Sequence, residues 1–121
     1  MGILTKIKHA LLGRPQDAPI KSSGMVRSSK WPKVRDGFLK ENPCCAVCGS
    51  KKDLNVHHKQ PYHLHPNLEL DKANLITLCS DGSGHNCHLI FGHLGEYSSF
   101  NAGVELDAAV MREKIKTRPS K

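Results

Sequence analysis

Leu54-Asn55-Val56-His57-His58 and Leu75-Ile76-Thr77-Leu78-Cys79 are the two segments whose reading decides the fold. The first alternates apolar and polar residues and reads as a strand; the second is a short apolar run that serves as its partner. Between them residues 59–73 hold Pro61 and Pro66, which suits a long loop better than a strand. The glycine-rich Ser80 to Gly84 then turns the chain into a short helix from about His85 to Leu94, carrying His88 and His93. Strand, loop, strand, helix is the order expected of a small α+β domain.

Cysteines bracket this unit. Cys45 and Cys48 are separated by two residues and followed by Gly49, the spacing that lets two thiolates reach one tetrahedral ion. Cys79 and Cys87 form the second pair across a wider turn, with His85 as an alternative to Cys87 for the fourth ligand. Cys44 is left over. A chain of 121 residues with 5% aromatic and 38% hydrophobic residues builds a thin core, which Trp31, Tyr62, Phe91, Phe100 and scattered aliphatics would form, so a structural zinc is expected as a staple. The alternative staple is a disulfide framework, and it needs an oxidising compartment. The first residues break their apolar positions with Lys6 and Lys8 and do not form a secretory signal, and no apolar run approaches a bilayer span. The expectation is a cytoplasmic, nucleic-acid-associated protein without a transmembrane segment, in which clustered cysteines hold metal.

Outside the central unit, Ile3, Leu4, Ile7, Ala10 and Leu11 suggest a short amphipathic helix over residues 3–12, and residues 13–28 read as a linker rich in Pro, Gly and Ser. Ser28 or Ser29 is placed to cap a helix with Pro32 in its first turn and Trp31, Val34, Phe38 and Leu39 along it; Asn42-Pro43 ends it. Val104, Leu106, Val110, Met111 and Ile115 predict a final helix to about Lys116, capped by Asn101 or Asp107. The organisation expected is a basic arm and linker over 1–26, one domain over 27–117, and a frayed end over 118–121.

Charge is distributed unevenly. Residues 1–40 carry nine Lys or Arg against Asp17 and Asp36, whereas residues 41–121 balance, so the whole net charge of +7 lies in residues 1–40. A basic arm beside a near-neutral metal module points to a phosphate backbone, because each neutralised phosphate releases counterions.

The histidines carry the chemistry. Hydrolysis of a phosphodiester needs a base to take a proton from the attacking water and a divalent cation to offset charge on the phosphate and leaving oxygen. His57-His58, at the end of a strand, can divide these roles if both rings reach one substrate. The base must also be aimed by a hydrogen bond at its other ring nitrogen, from an asparagine amide or a backbone carbonyl. Asn74, directly before the second strand and across the hairpin from His58, fits the first option, and His88 on the following helix would close over the metal.

The ordered set Cys45-x-x-Cys48, Val56-His57-His58, Asn74-Leu75, Leu78-Cys79 and Cys87-His88 resembles the HNH endonucleases, the ββα-metal nucleases, in their zinc-supported form. The resemblance covers residues 27–101, and the stretch from Arg27 to Pro43 is similar to the helix before the knuckle in small phage and bacterial members. It implies a β-hairpin and helix gripping one catalytic ion, with His58 as general base, Asn74 orienting it, and His57 with His88 holding the ion. Cys45, Cys48, Cys79 and Cys87 would bind structural zinc. The expected activity is metal-dependent DNA hydrolysis with magnesium, manganese or nickel; RNA remains open as a substrate, and other phage or host DNA-processing proteins are expected partners. Many members place a further histidine four residues after the last motif histidine. Here Gly92 stands there and His93 follows, so His93 is a candidate third ligand.

The competing reading is a non-catalytic zinc module that binds nucleic acid or protein, since Cys45-x2-Cys48-x9-His58-x4-His63 approaches a two-cysteine, two-histidine finger. Its middle falls short of the roughly twelve residues such fingers use, and Pro61 and Pro66 would interrupt the helix bearing the histidines. It also leaves Cys79, Cys87 and His88 without a role.

Overall fold

A helix, a two-stranded hairpin, a wide turn and a second helix follow one another through residues 27–119, the part of the chain that the computed structural model describes. The amphipathic helix expected at 3–12, the arm and linker before residue 27, and residues 120–121 lie outside the described residues.

Helix α1 spans Trp31–Glu41, with Pro32 in its first turn, where a missing N–H costs nothing. Ser28 acts one turn before the helix and does not cap it: its carbonyl accepts from the Trp31 N–H at 3.1 Å and its Oγ from the Lys30 N–H at 3.1 Å. Asn42 ends the helix by donating both its backbone N–H (2.8 Å) and its Nδ2 (3.1 Å) to the Phe38 carbonyl.

Strand β1, Leu54–His58, pairs antiparallel with β2, Leu75–Cys79, in a register that sets Leu54 opposite Cys79 and His58 opposite Leu75. Every residue of β2 is buried. The loop between the strands holds two single 3₁₀ turns, Pro66–Leu68 and Lys72–Asn74, the second capped by the Asp71 carboxylate, which accepts from the Ala73 N–H at 2.9 Å. Helix α2, Val104–Lys116, lays Val104, Ala108, Met111 and Ile115 on the hairpin at helical spacing. Its first turn carries Glu105 and Asp107 and its last Lys114 and Lys116, each sign opposite to the helix end it occupies.

The core is Cys45, Val47, Ile76, Leu78, Cys79, Cys87, Val104 and Ala108. Of the aromatic residues expected there, Phe91 packs against it, while Tyr62 and Phe100 line a cleft and Trp31 stacks on His58. Three of the eight core positions are thiols, so the residues that would bind zinc also fill the interior.

The helix expected over about 85–94 is resolved differently. A 3₁₀ turn, Asp81–Ser83, is followed by a π-helical turn, His88–Gly92. Asn86, at φ 56°, starts the second turn: its Oδ1 accepts from the Leu89 N–H at 3.3 Å and its Nδ2 donates to the Asp81 carboxylate at 2.6 Å. Asn101 closes it, donating Nδ2 to the Phe91 carbonyl (2.9 Å) and to the Asp107 carboxylate (2.7 Å) while its N–H bonds the Gly92 carbonyl (2.9 Å). Asn101 thus ties the turn to α2, and its Oδ1 accepts from the Gly103 N–H at 2.9 Å. Among the described residues, no helix is long and apolar enough to cross a membrane.

Candidate metal centres

Two groups of side chains that could hold a metal ion form around the hairpin, and adjacent residues send their side chains to different groups. Cys45, Cys48, Cys79 and Cys87 bring their sulfurs within 4.8 Å of one another. Cys48 Sγ and Cys79 Sγ are 3.6 Å apart, close to the edge of about 3.8 Å expected for a tetrahedron with 2.3 Å zinc–sulfur bonds. The first pair sits on a tight turn in which the Gly49 N–H reaches the Cys45 carbonyl at 3.0 Å. Gly49 has φ 78°, the left-handed region that favours glycine, and sits against the Arg112 guanidinium.

The wide turn between Cys79 and Cys87 is held by Asp53, whose carbonyl accepts from the Ser80 N–H and whose carboxylate accepts from the Gly82 N–H, both at 2.8 Å. Gly84 at φ 94° and Asn86 at φ 56° bend the chain back so that Cys87 re-enters the core. His85 is exposed; Cys87 is the residue that joins the group. Burial raises the Cys48 and Cys87 thiols above the ordinary range. Cys79 is also pushed up by burial, but hydrogen bonds from the Ser83 side chain, the Cys87 backbone and the neighbouring thiols outweigh this and bring it to about 7. Four thiols crowded in this way deprotonate together only with a cation to hold their charge, which matches the chemistry of a four-thiolate zinc site.

The second group is His57, His88 and His93, whose nitrogens also converge within 4.8 Å. His88 Nε2 lies 3.1 Å from His57 Nδ1 and 3.2 Å from His93 Nε2. His93 Nδ1 donates to the Ser99 carbonyl at 2.7 Å, which leaves Nε2 as its lone-pair nitrogen facing the others. His57 is buried against Gly92, where an added Cβ would meet the ring at 3.1 Å. Burial first, then the other histidines, hold His57 down to about 3; burial and His93 hold His88 at about 4. Both rings are therefore neutral near pH 7, the form that binds metal.

The π-helical turn explains how His93 reaches this group. Its extra residue per turn carries a side chain five positions after His88 to the place that an ordinary turn would give to the fourth. The fourth position is Gly92, and a side chain there would press on His57.

His58 points away from the triad but lines the same cleft. Its ring stacks on Trp31 with centroids 4.5 Å apart, and its Nε2 donates to the Glu69 carbonyl at 2.9 Å. Nδ1 is left as the proton-accepting atom. Burial is the main cause that lowers its pKa, with Arg27 adding to the effect and the Glu69 contacts opposing it. The expected Asn74-to-His58 hydrogen bond is replaced by an indirect arrangement. Asn74 is buried and holds the loop: Oδ1 accepts from the Gln60 N–H at 2.8 Å, and Nδ2 donates to the Gln60 carbonyl at 3.1 Å and the Leu68 carbonyl at 3.4 Å. The loop pinned in this way presents the Glu69 carbonyl.

A cleft of about 430 Å³ is lined by His57, His58, His88 and His93, with Arg27, Tyr62 and Tyr97 at its walls. Tyr97 is exposed, its ring centroid 5.2 Å from that of His93. A larger groove of about 660 Å³ between α1, β2 and α2 contains Cys44 and no histidine, so volume does not mark the chemistry here. Residues that the sequence did not single out are Glu69, which acts through a backbone carbonyl, Trp31 as the stacking partner of His58, and Arg27. A carbonyl has no sequence signature; Trp31 and Arg27 could have been found only from their position at the start of α1 and one turn before it.

Neither the curated proteins nor the solved structures offer a match to the chain. The family model described as HNH endonuclease matches residues 45–90, which begin at the first zinc-type cysteine and run through both strands into the π-helical turn. Over these residues, with their hairpin and four-cysteine group, the chain is similar to the HNH endonuclease domain.

Proposed function

We propose that the protein is a metal-dependent endonuclease that hydrolyses DNA phosphodiester bonds in the cleft between His58 and the His57–His88–His93 group. The observation that carries this reading is that a histidine with one nitrogen committed to a carbonyl and three histidines facing one another line a single cleft. His58, neutral at pH 7 and held by Trp31 and Glu69, accepts a proton from water through Nδ1 as that water attacks phosphorus. Asn74 maintains the loop that aims it. His57, His88 and His93 offer nitrogens suited to a divalent ion, which when bound offsets charge on the phosphate and the leaving 3′ oxygen. Cys45, Cys48, Cys79 and Cys87 take structural zinc. An all-imidazole donor set favours nickel over magnesium and manganese, which prefer oxygen ligands.

The domain proposed for this work is residues 27–117, with residues 1–26 as a basic arm that adds affinity for the phosphate backbone. The test is plasmid nicking or linearisation with added magnesium, manganese or nickel, compared with His58→Ala. Cleavage by the wild-type protein, and its loss in a variant of unchanged zinc content, is the expected result. Zinc-loaded wild-type protein that cleaves neither DNA nor RNA with any of these ions overturns the reading in favour of a binding module.

A further inference from the structure

Arg27 stands where two grooves meet. It lines the histidine cleft and also an adjoining groove of about 390 Å³ that runs past Trp31 and His58 to Arg35. Two aromatic rings hold its guanidinium, with Cζ 4.8 Å from the centroid of Tyr62 and 5.4 Å from that of Trp31. The Trp31 ring is the same one on which His58 stacks, so the guanidinium and the proposed base are set by one side chain.

Its acidic neighbour does not consume it. Glu69 is buried and receives the Ser28 N–H at 3.1 and 3.3 Å, one distance to each carboxylate oxygen. Arg27 Nη1 lies 3.8 Å from Oε2, beyond hydrogen-bond length, and the side chain is 48% exposed. The pair holds the guanidinium near Glu69 without a hydrogen bond to it, so its N–H donors are not committed to that carboxylate. A planar cation lying over aromatic rings, at the wall of a cleft that also holds the histidines of the proposed base and metal site, has the chemistry of a phosphodiester contact.

We infer that Arg27 is a phosphate-binding residue of the substrate site, gripping the non-bridging oxygens of a backbone phosphate at the junction of the two grooves, with the strand continuing toward Arg35. The inference rests on the nuclease reading and adds to it the residue that seats the strand. It also gives the basic N-terminal stretch a point of entry, since residues 1–26 lead directly into Arg27.

The test uses the full chain with its zinc retained. Binding of a short fluorescent DNA duplex is measured across salt concentrations without added catalytic ion, and kcat/KM is measured with it. Arg27→Gln keeps the aliphatic stem and removes the charge; it should weaken binding about 10- to 100-fold and reduce the salt slope by about one. Its melting temperature should stay near that of the wild type. Arg27→Lys should keep the salt slope yet recover only part of kcat/KM, because an ammonium lacks the planar fork. A wild-type slope and affinity in Arg27→Gln overturns the inference. If Arg27→Gln fails to fold, Arg27→Lys decides: a retained slope with reduced kcat/KM supports the subsite, and wild-type kinetics overturns it. Arg27-dependent binding without any cleavage sinks the nuclease reading and leaves the subsite standing; cleavage indifferent to Arg27→Gln does the reverse.

Discussion

The thiol group and the histidine group share the same hairpin and turn, yet they differ in depth. Cys45, Cys79 and Cys87 are no more than 4% exposed and belong to the core, whereas His88 and His93 are partly open to a cleft. The backbone sends neighbours in opposite directions: Cys87 turns inward and His88 toward the cleft, and His57 joins the three-histidine group while His58 stacks on Trp31. One short segment can thus anchor a fold and present side chains to a cleft, provided that the anchoring residue is the one buried. The difference in depth also predicts that damage to the two groups will be separable.

The largest effect should come from the thiols. Cys48→Ser, or chelation of the wild-type protein, should unfold the domain, since zinc binding contributes about 10–16 kcal/mol of apparent folding free energy in small zinc modules. Thermal melts with and without chelator check this, and equal melts would break the comparison. Next is His58→Ala, which should lower the cleavage rate by about 10²- to 10⁴-fold while zinc content and melting temperature hold. A variant that loses zinc as well would mean that the two regions are not independent.

His93→Ala should weaken binding of the catalytic ion by about 10- to 100-fold, read by titrating nickel or manganese into the zinc-loaded protein, and leave the melt near wild type. Unchanged affinity would return His93 to a bystander of the π-helical turn. Gly92→Ala should have a smaller effect of the same kind, because its methyl group meets the His57 ring at 3.1 Å and displaces a ligand without removing it. The smallest expected effect is in the pH profile. Burial lowers the His58 pKa below its ordinary value of 6.5, so the deprotonated base persists as pH falls, and the acid limb of the rate should lie below 6.5. A limb above that value would mean that His58 is not the titrating base.

Much of the central fold was legible from residue order. Alternation over residues 54–58 and the apolar run over 75–79 mark the strands, and Asn42 and Lys116 bound the helices as their local chemistry suggests. The two-residue gap between Cys45 and Cys48 is itself a geometric statement about a shared ion. Less legible was the segment after β2. Its π-helical turn depends on Asn86 and Asn101 meeting backbone groups on either side, and Asn101 comes from beyond the turn. Trp31 departs from expectation for a related reason: a large aromatic residue in a small domain is expected in the interior, and here the thiols and aliphatics occupy it.

Residue order alone marks the strand–loop–strand sequence, the thiol pairs and the set of histidines available for chemistry, because these follow from periodicity, spacing and side-chain type. Tertiary packing placed Cys87 and not His85 with the other thiols, brought His93 beside His57 and His88, set the Glu69 carbonyl and not the Asn74 amide on the His58 ring, and put Arg27 at the meeting of two grooves. Each of these depends on where the backbone carries a group after a turn with positive φ, an extra helical residue or a long loop. Such displacements are settled by packing between distant segments, which local sequence does not encode.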